Sequence, residues 1–280
     1  MLTATLLGSA QDGGVPQAGC RCTHCAAALA DREFERLPAS LALRGPAGVQ
    51  LFEATRELAR QLALAGGGTP AAVWLTHAHL GHVDGLGQFG AEVMDARGVP
   101  LHCSPAVAER LRATPGWRAL LDGGHLRLRE WRSGEPVAGD GFAVTPLPVP
   151  HRSEAGDTHA LLVAGKRKLL FLPDHDSWDA TLAAVGAASP RDWLRQLGAD
   201  NVLLAGTFWS ADELPRQDAV PHPPVAETLE RLGARREGDP RVVFIHLNHT
   251  NPLCNPDSDE SAQLARAGWE TGHEGLAFRI

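Results

Sequence analysis

The sequence predicts an α/β fold in which two β-sheets are packed between layers of helices, as a single domain over residues 1–280. Apolar stretches of strand length are interleaved with segments of helical periodicity along the whole chain. Glycine and proline separate these stretches, and no linker, low-complexity tract or internal repeat divides them. Hydrophobic residues make up 44% of the 280 residues, which is enough to build a large core.

The strands are predicted from short apolar runs bounded by turn residues. In chain order they cover residues 2–7, 40–43, 49–53, 71–76, 99–104, 126–131, 142–149, 158–163, 168–172, 201–204 and 242–247. The first run has neither the basic start nor the long apolar stretch of a signal peptide, so we interpret it as a strand.

The helices are predicted from apolar residues recurring at helical spacing. They cover residues 55–65, 85–96, 105–113, 178–185, 191–197, 224–232 and 259–267. Pro105 and Pro224 suit first helical turns. Gly98 and Gly233 suit positions just after helix ends.

Charge and hydropathy argue against two classes of binding partner, nucleic acids and membranes. The net charge of −7 argues against a nucleic-acid surface, because phosphate binding needs a basic patch. No apolar run approaches the roughly 20 residues that span a bilayer. We therefore expect a cytoplasmic protein with a small-molecule substrate and no nucleic-acid or membrane partner, and the sequence leaves a homodimer open.

A histidine cluster follows one of the buried strands. The apolar run that ends at Thr76 leads directly into His77-Ala78-His79, and His82 comes three residues later. Side chains at positions i and i+2 of an extended chain point the same way, so His77 and His79 can converge on one ion. His82 can reach toward a second ion beside it. This spacing predicts a metal site.

The segment LTHAHLGHVDG at 75–85 resembles the H-x-H-x-D-H motif of the metallo-β-lactamase superfamily. That resemblance implies an αββα sandwich of two mixed sheets flanked by helices. Further ligands implied by the resemblance follow strands in the expected order: His151, Asp174 and His246. The implied ligands of the first ion are His77, His79, His151 and Asp174, and those of the second are His82, Asp174 and His246.

Imidazole and carboxylate ligands suit Zn²⁺, Mn²⁺ or Fe²⁺, and the sequence does not choose among them. An ion of this kind lowers the pKa of bound water from about 15.7 to about 7, which gives a hydroxide nucleophile at neutral pH.

One departure from the motif leaves the choice between one and two ions open. The family's aspartate ligand to the second ion is replaced here by Gly81, which has no side chain. Asp84 lies too far along the chain to be a simple substitute, and Asp176 is the candidate to compensate. Glu53, at the end of a strand, replaces the aspartate that usually supports this segment.

A second cluster is formed by Cys20, Cys22 and Cys25, three of only five cysteines. In a reducing compartment such a cluster favours metal over disulfides. A tetrahedral zinc needs a fourth ligand, and the residues leave His24, Cys254 and His249 as candidates.

The N-terminal segment LGSAQDGGVPQAGC at 7–20 resembles the coenzyme PQQ synthesis protein B family and the phosphodiesterase of the carbon–phosphorus lyase pathway. Both carry a C-x-C-x-x-C structural zinc. In the phosphodiesterase the fourth ligand lies three residues after the final active-site histidine, which implies His249. Residues 20–25 are then a zinc-binding loop at the N-terminus of the domain.

The resemblance also gives His222 a role, because a histidine in this region of the related phosphodiesterases acts as general acid. Its ordinary pKa near 6.5 suits proton transfer near neutrality. The first hypothesis is therefore a hydrolase in which hydroxide on the metal attacks an ester or phosphodiester, with His222 and Asp174 as catalytic residues.

Two other hypotheses stay open. The coenzyme PQQ synthesis protein B family usually lacks the first two motif histidines and is linked to oxidative tailoring of a PQQ precursor, whereas this chain keeps both. An iron-dependent oxygenase in PQQ (pyrroloquinoline quinone) biosynthesis is the first alternative. A non-catalytic, metal-containing binding or carrier protein is the second.

Overall fold

The computed structural model describes residues 2–152, 154 and 156–280, without the side chain of Asp218. In this part of the chain two seven-stranded sheets lie face to face. The strands are β1 (Thr3–Gly8), β2 (Ser40–Gly45), β3 (Gly48–Phe52), β4 (Ala72–Trp74), β5 (Val99–Cys103), β6 (Leu126–Glu130), β7 (Val137–Ala138), β8 (Ala143–Val149), β9 (Thr158–Ala164), β10 (Lys168–Leu172), β11 (Asn201–Ala205), β12 (Arg241–Ile245), β13 (Glu270–Thr271) and β14 (Ala277–Arg279).

Both sheets are mixed. The first has the order β14-β1-β2-β3-β4-β5-β6, and the run from β3 to β6 is parallel. The second has the order β13-β12-β11-β10-β9-β8-β7, and the run from β10 to β13 is parallel. Parallel neighbours are joined by helical crossovers, which cover the outer faces of the sheets.

The helices are α1 (Thr23–Ala30), α2 (Leu58–Leu64), α3 (Leu80–Val83), α4 (Pro105–Ala113), α5 (Pro115–Asp122), α6 (Trp178–Val185), α7 (Pro190–Leu197), α8 (Val225–Leu232) and α9 (Asp259–Arg266). Short 3₁₀ helices cover Arg32–Phe34, Asp84–Phe89, Gln217–Ala219 and Pro252–Cys254. Serine side chains cap the first turns of four helices, as this residue commonly does: Ser104, Ser177, Ser189 and Ser258. In the described chain no helix combines the length and the apolar character needed to cross a membrane.

Three apolar layers hold these elements together. The middle layer lies between the sheets and includes Leu41, Phe52, Trp74, Phe171 and Ile245, all almost fully buried. One outer layer packs the first sheet against α2, α4 and α5, and the other packs the second sheet against α1 and α6 to α9. The predicted sandwich of two sheets between helices is therefore confirmed.

The predicted helix at 85–96 is wrong. The chain instead makes the single-turn α3, then the 3₁₀ helix Asp84–Phe89, and then turns. Gly85, Gly87 and Gly90 fall inside the predicted helix, and each glycine costs roughly 1 kcal/mol there relative to alanine. Helices α1 and α5 and the short strands β7, β13 and β14 were not predicted, since none of them carries a long periodic pattern.

Candidate metal centre

The predicted active-site residues meet at one edge of the sandwich, at the carboxyl ends of strands from both sheets, where ligands bind in open α/β sheets. Glu53 directly follows β3, and His77 and His79 follow β4. The second sheet contributes three residues from beyond its strand ends: His151 after β8, Asp174 after β10 and His246 after β12. Turn residues after each strand aim these side chains into one space between the sheets.

Three histidines form the first group of possible ligands. Nitrogens of His77, His79 and His151 lie within 4.8 Å of one another. His77 turns Nε2 toward Nδ1 of His79, at 2.8 Å. The ring of His151 stands nearly perpendicular to both others, with centroids 5.4 Å and 5.0 Å away. The structure thus brings together the histidines that the sequence assigns to the first ion.

Asp174 lies between this group and a second one. Its Oδ2 is 3.2 Å from Nε2 of His82, and its Oδ1 is 3.5 Å from Nε2 of His246. The same Oδ1 is 3.8 Å from Nε2 of His151. A carboxylate that faces histidines of both groups has the position required of a bridging ligand, which is the role implied for Asp174.

Asp12 belongs to the second group, and sequence reasoning missed it. Its Oδ1 lies 3.3 Å from Nε2 of His82 and 3.4 Å from Nε2 of His246. Ligand atoms of these three residues are within 4.8 Å of one another. The available signal was an acidic residue beside two glycines just beyond a strand, in the segment that carries the family resemblance.

Asp176 does not compensate for Gly81. Its Oδ1 lies 2.9 Å from Nδ1 of His151, on the side of that ring away from Asp174. Asp84 also lies outside the cluster, with its Oδ2 3.1 Å from Nη2 of Arg56.

Side-chain oxygen atoms contact Nδ1 of three of the histidines and fix the orientation of their rings. The pairs are Thr76 Oγ1 with His77 Nδ1 at 2.8 Å, Thr207 Oγ1 with His246 Nδ1 at 2.9 Å, and Asp176 Oδ1 with His151 Nδ1 at 2.9 Å. Each contact occupies Nδ1 and leaves Nε2 facing the centre. Metal-binding histidines are commonly oriented in this way.

Two non-glycine residues at this edge adopt left-handed backbone conformations. Glu53 has φ +67° and His246 has φ +60°. Such conformations are uncommon for these residue types and concentrate at functional sites. Glu53 is fully buried, accepts a hydrogen bond from the backbone N–H of Thr76 at 3.1 Å, and lies 3.7 Å from Nδ1 of His82. Glu53 therefore stabilises the histidine motif through its contacts with Thr76 and His82.

Burial and neighbouring charges shift the pKa values of His77 and His79 and that of His82 in opposite directions. Burial lowers the pKa of His77 well below its ordinary value and that of His79 to about 4, so both rings are neutral at neutral pH. Burial alone would lower the pKa of His82, but the charge of Asp174 and the contact with Asp12 raise it well above the ordinary value. Burial alone would raise the pKa of Asp174, yet His246 and His82 lower it well below its usual range. An ion at the second group would therefore compete with a proton on His82.

His222 lies inside the site. Only 6% of its surface is exposed, and its Nδ1 is 3.8 Å from Oδ1 of Asp174. Its ring centroid is 5.4 Å from that of His151 and 5.5 Å from that of His246. Burial lowers the pKa of His222 well below its ordinary value, so the neutral imidazole is the resting form at neutral pH.

Whether this arrangement fits a metal can be judged from two buried nitrogens that lack hydrogen-bond partners in the described part of the chain. Among the described residues His151 Nε2 and His222 Nδ1 have no hydrogen-bond partner. Buried polar atoms are rarely left unpaired in native proteins. An ion beside His151 would satisfy its Nε2, and the nitrogen and oxygen donors suit Zn²⁺, Mn²⁺ or Fe²⁺. The residues therefore fit a divalent metal.

The cysteine cluster is assembled at the start of α1. Cys22 is the residue before the first turn of α1, and Cys25 lies within that turn. Sγ of Cys20 and Sγ of Cys22 are each 3.4 Å from Nδ1 of His249, and all four ligand atoms, including Sγ of Cys25, lie within 4.8 Å of one another. This is the donor set of a tetrahedral structural zinc.

The two other candidates for the fourth ligand point elsewhere. Nδ1 of His24 is 2.8 Å from the carbonyl oxygen of His249, and Sγ of Cys254 contacts the carbonyl oxygen of Asn248 at 3.5 Å. The geometry therefore favours His249, as the resemblance implies. Because His246 and His249 are three residues apart, one segment after β12 reaches both clusters.

With this geometry the chain can be compared with known proteins. Residues 46–247 match the beta-lactamase superfamily domain, so the chain belongs to the beta-lactamase superfamily. Within that class it belongs to the coenzyme PQQ synthesis protein B family. The member from Cupriavidus necator is 32% identical over 319 aligned residues, covering 100% of both chains. The resemblance seen in the motifs is thereby confirmed.

Solved structures agree on the fold. The Zn²⁺-bound PqqB from Methylobacterium extorquens superposes with a TM-score of 0.76 at 21% identity, covering 99% of this chain and 100% of that one. A diphosphatase from the PhnP family gives a TM-score of 0.73 at 22% identity, covering 100% of this chain and 98% of that one.

Proposed function

We propose that the protein is a metal-dependent hydrolase that acts on an ester or phosphodiester of a small molecule. The observation that carries the proposal is the group His77, His79 and His151 facing Asp174, with all four residues at the ends of strands. Support also comes from the likeness to a diphosphatase of the PhnP family, which has the same fold.

A divalent ion in this centre would supply a water nucleophile at neutral pH and stabilise negative charge on the substrate oxygen. The chain's own residues orient the candidate metal ligands. Thr76, Asp176 and Thr207 hold their histidine partners with Nε2 inward. Asp174 presents its two oxygens to both groups of histidines. Such fixed geometry lowers the cost of assembling the reacting groups.

His222 is proposed to move a proton. Because burial lowers its pKa, the resting ring is neutral and can accept the proton that the attacking water loses. The protonated ring then donates that proton to the oxygen that leaves when its bond to carbon or phosphorus breaks. A single buried histidine beside Asp174 thus serves as base and then as acid.

Replacing His222 by glutamine should lower kcat by about 10²–10⁴-fold, the range expected for general acid–base catalysis. The loss should be larger for an alkyl ester, whose leaving oxygen needs a proton, than for a p-nitrophenyl ester, whose leaving oxygen does not. The measurement compares kcat and KM for the two substrates alongside metal content.

His273 is exposed and lies outside both clusters, so His273→Gln is the matched control and should retain activity. Loss of an active-site ion in His222→Gln would make His222 a ligand instead of a proton carrier. Equal losses for the two leaving groups would also contradict the assignment.

An iron-dependent oxygenase in PQQ biosynthesis is the second candidate. It is favoured by the 32% identical coenzyme PQQ synthesis protein B, and the histidine and carboxylate ligands also suit Fe²⁺. Oxygen consumption that depends on Fe²⁺ and on a peptide-derived precursor would support it.

A further inference from the structure

The loop after β1 is fixed against the segment that carries His246. The backbone N–H of Gln11 donates to the carbonyl of Leu247 at 2.8 Å, and the N–H of Leu247 donates to the carbonyl of Ser9 at 3.0 Å. A further hydrogen bond from the N–H of Gly14 to the carbonyl of Gln11, at 2.8 Å, closes a tight turn around Asp12. The carboxylate of Asp12 is thereby held within 3.4 Å of both His82 and His246.

The space taken by Asp12 is the space that a side chain at position 81 would need. A Cβ atom built on Gly81 would lie 2.2 Å from Cγ of Asp12 and 2.5 Å from its Oδ1. Gly81 lies in the helical turn α3 and has no positive φ, so its backbone does not itself require glycine. Asp12 is the obstruction, and Asp12 and a side chain at residue 81 exclude each other.

We infer that Asp12 is the carboxylate ligand of a second active-site ion, transferred from the motif position that Gly81 occupies to the loop after β1. The second ion is then held by Asp12, His82 and His246, with Asp174 shared between the two ions. Two imidazoles and two carboxylates form a suitable donor set for Zn²⁺ or Mn²⁺. The active site then holds two ions although Gly81 lacks a side chain.

This assignment rests on the metal centre of the proposed function but not on hydrolysis. Its test therefore measures bound metal and can fail while hydrolysis survives, or succeed when no substrate is found. The variants are Asp12→Ala, Gly81→Asp and the double variant Asp12→Ala/Gly81→Asp. Each is stripped with a chelator, titrated with Zn²⁺ against a chromophoric competitor, and checked for folding by thermal melting.

Asp12→Ala should bind one equivalent of Zn²⁺ fewer than the parent, or bind it at least about 100-fold more weakly. Losses of about 10–100-fold already follow removal of outer partners of metal sites. Gly81→Asp should also lose that equivalent, or lose folding stability, because its side chain collides with Asp12. The double variant should regain the equivalent, since the collision is removed and the carboxylate returns to the motif position.

Asp84→Ala is the matched control, because Asp84 lies in the same motif but contacts Arg56, and it should keep the parent's stoichiometry. The inference is overturned if Asp12→Ala binds the second equivalent as tightly as the parent, or if the parent itself binds one active-site ion. A folded double variant that stays one equivalent short would also overturn it. If that variant does not fold, Asp12→Ala alone decides.

Discussion

Replacing Asp174 by asparagine should release metal from both groups of ligands and reduce hydrolysis by at least about 100-fold, since it removes a direct ligand and not only an outer partner. Asparagine keeps the shape of the side chain but lacks the charge that faces His82, His151 and His246. Without that charge the buried imidazoles lose the anion that stabilises a cation among them. Metal content and kcat/KM on one phosphodiester test the expectation.

A control variant must show that the loss of metal and of hydrolysis comes from the position of Asp174 and not from removal of any nearby acidic charge. Asp84→Asn makes the same substitution at an acidic residue that contacts Arg56 outside the ligand cluster, and it should leave metal content and kcat/KM near the parent values. Full metal occupancy in Asp174→Asn would remove Asp174 from the ligand set, whatever happened to the rate.

Cys22→Ser should destabilise the fold by several kcal/mol, on the order of 4, while leaving the active-site ligands in place. Zinc contributes roughly 10–16 kcal/mol to folding of small zinc-finger peptides, and the effect is smaller here because a large core folds around the site. Cys22 is the residue before α1, and its Sγ lies 3.4 Å from Nδ1 of His249. Urea unfolding and zinc content measure the effect.

Cys103→Ser provides the comparison, because Cys103 is also a buried thiol but lies in β5, away from the cysteine cluster. It should keep the zinc content of the parent. If Cys22→Ser also kept its zinc content, the four-ligand assignment would fail.

Most of the sheet structure was predictable because apolar runs specify buried strands directly. The prediction at 168–172 coincides with β10, and those at 105–113 and 178–185 coincide with α4 and α6. Prediction failed where apolar spacing and residue propensity disagree. Residues 85–96 have helical spacing but include three glycines, which disfavour a helix, and the chain forms a 3₁₀ helix followed by turns.

The members of the cluster were predictable where a candidate ligand follows a strand in the order implied by the resemblance, as His77, His151 and His246 do. Asp12 was not, because its partners are 70 and 234 residues away along the chain. Nothing near Asp12 in the sequence indicates that it fills the volume vacated at Gly81. That relation exists only once the loop after β1 is packed against α3.

Metal-dependent hydrolysis is tested with chelator-stripped protein and bis(p-nitrophenyl) phosphate. Hydrolysis should be absent, return on titration with Zn²⁺ or Mn²⁺, and saturate at a stoichiometric amount of metal. His79→Ala should stay inactive at every metal concentration, and His273→Ala should recover as the parent does. A hydrolytic function is contradicted if no metal restores hydrolysis of this or other esters while Fe²⁺ alone supports oxygen consumption.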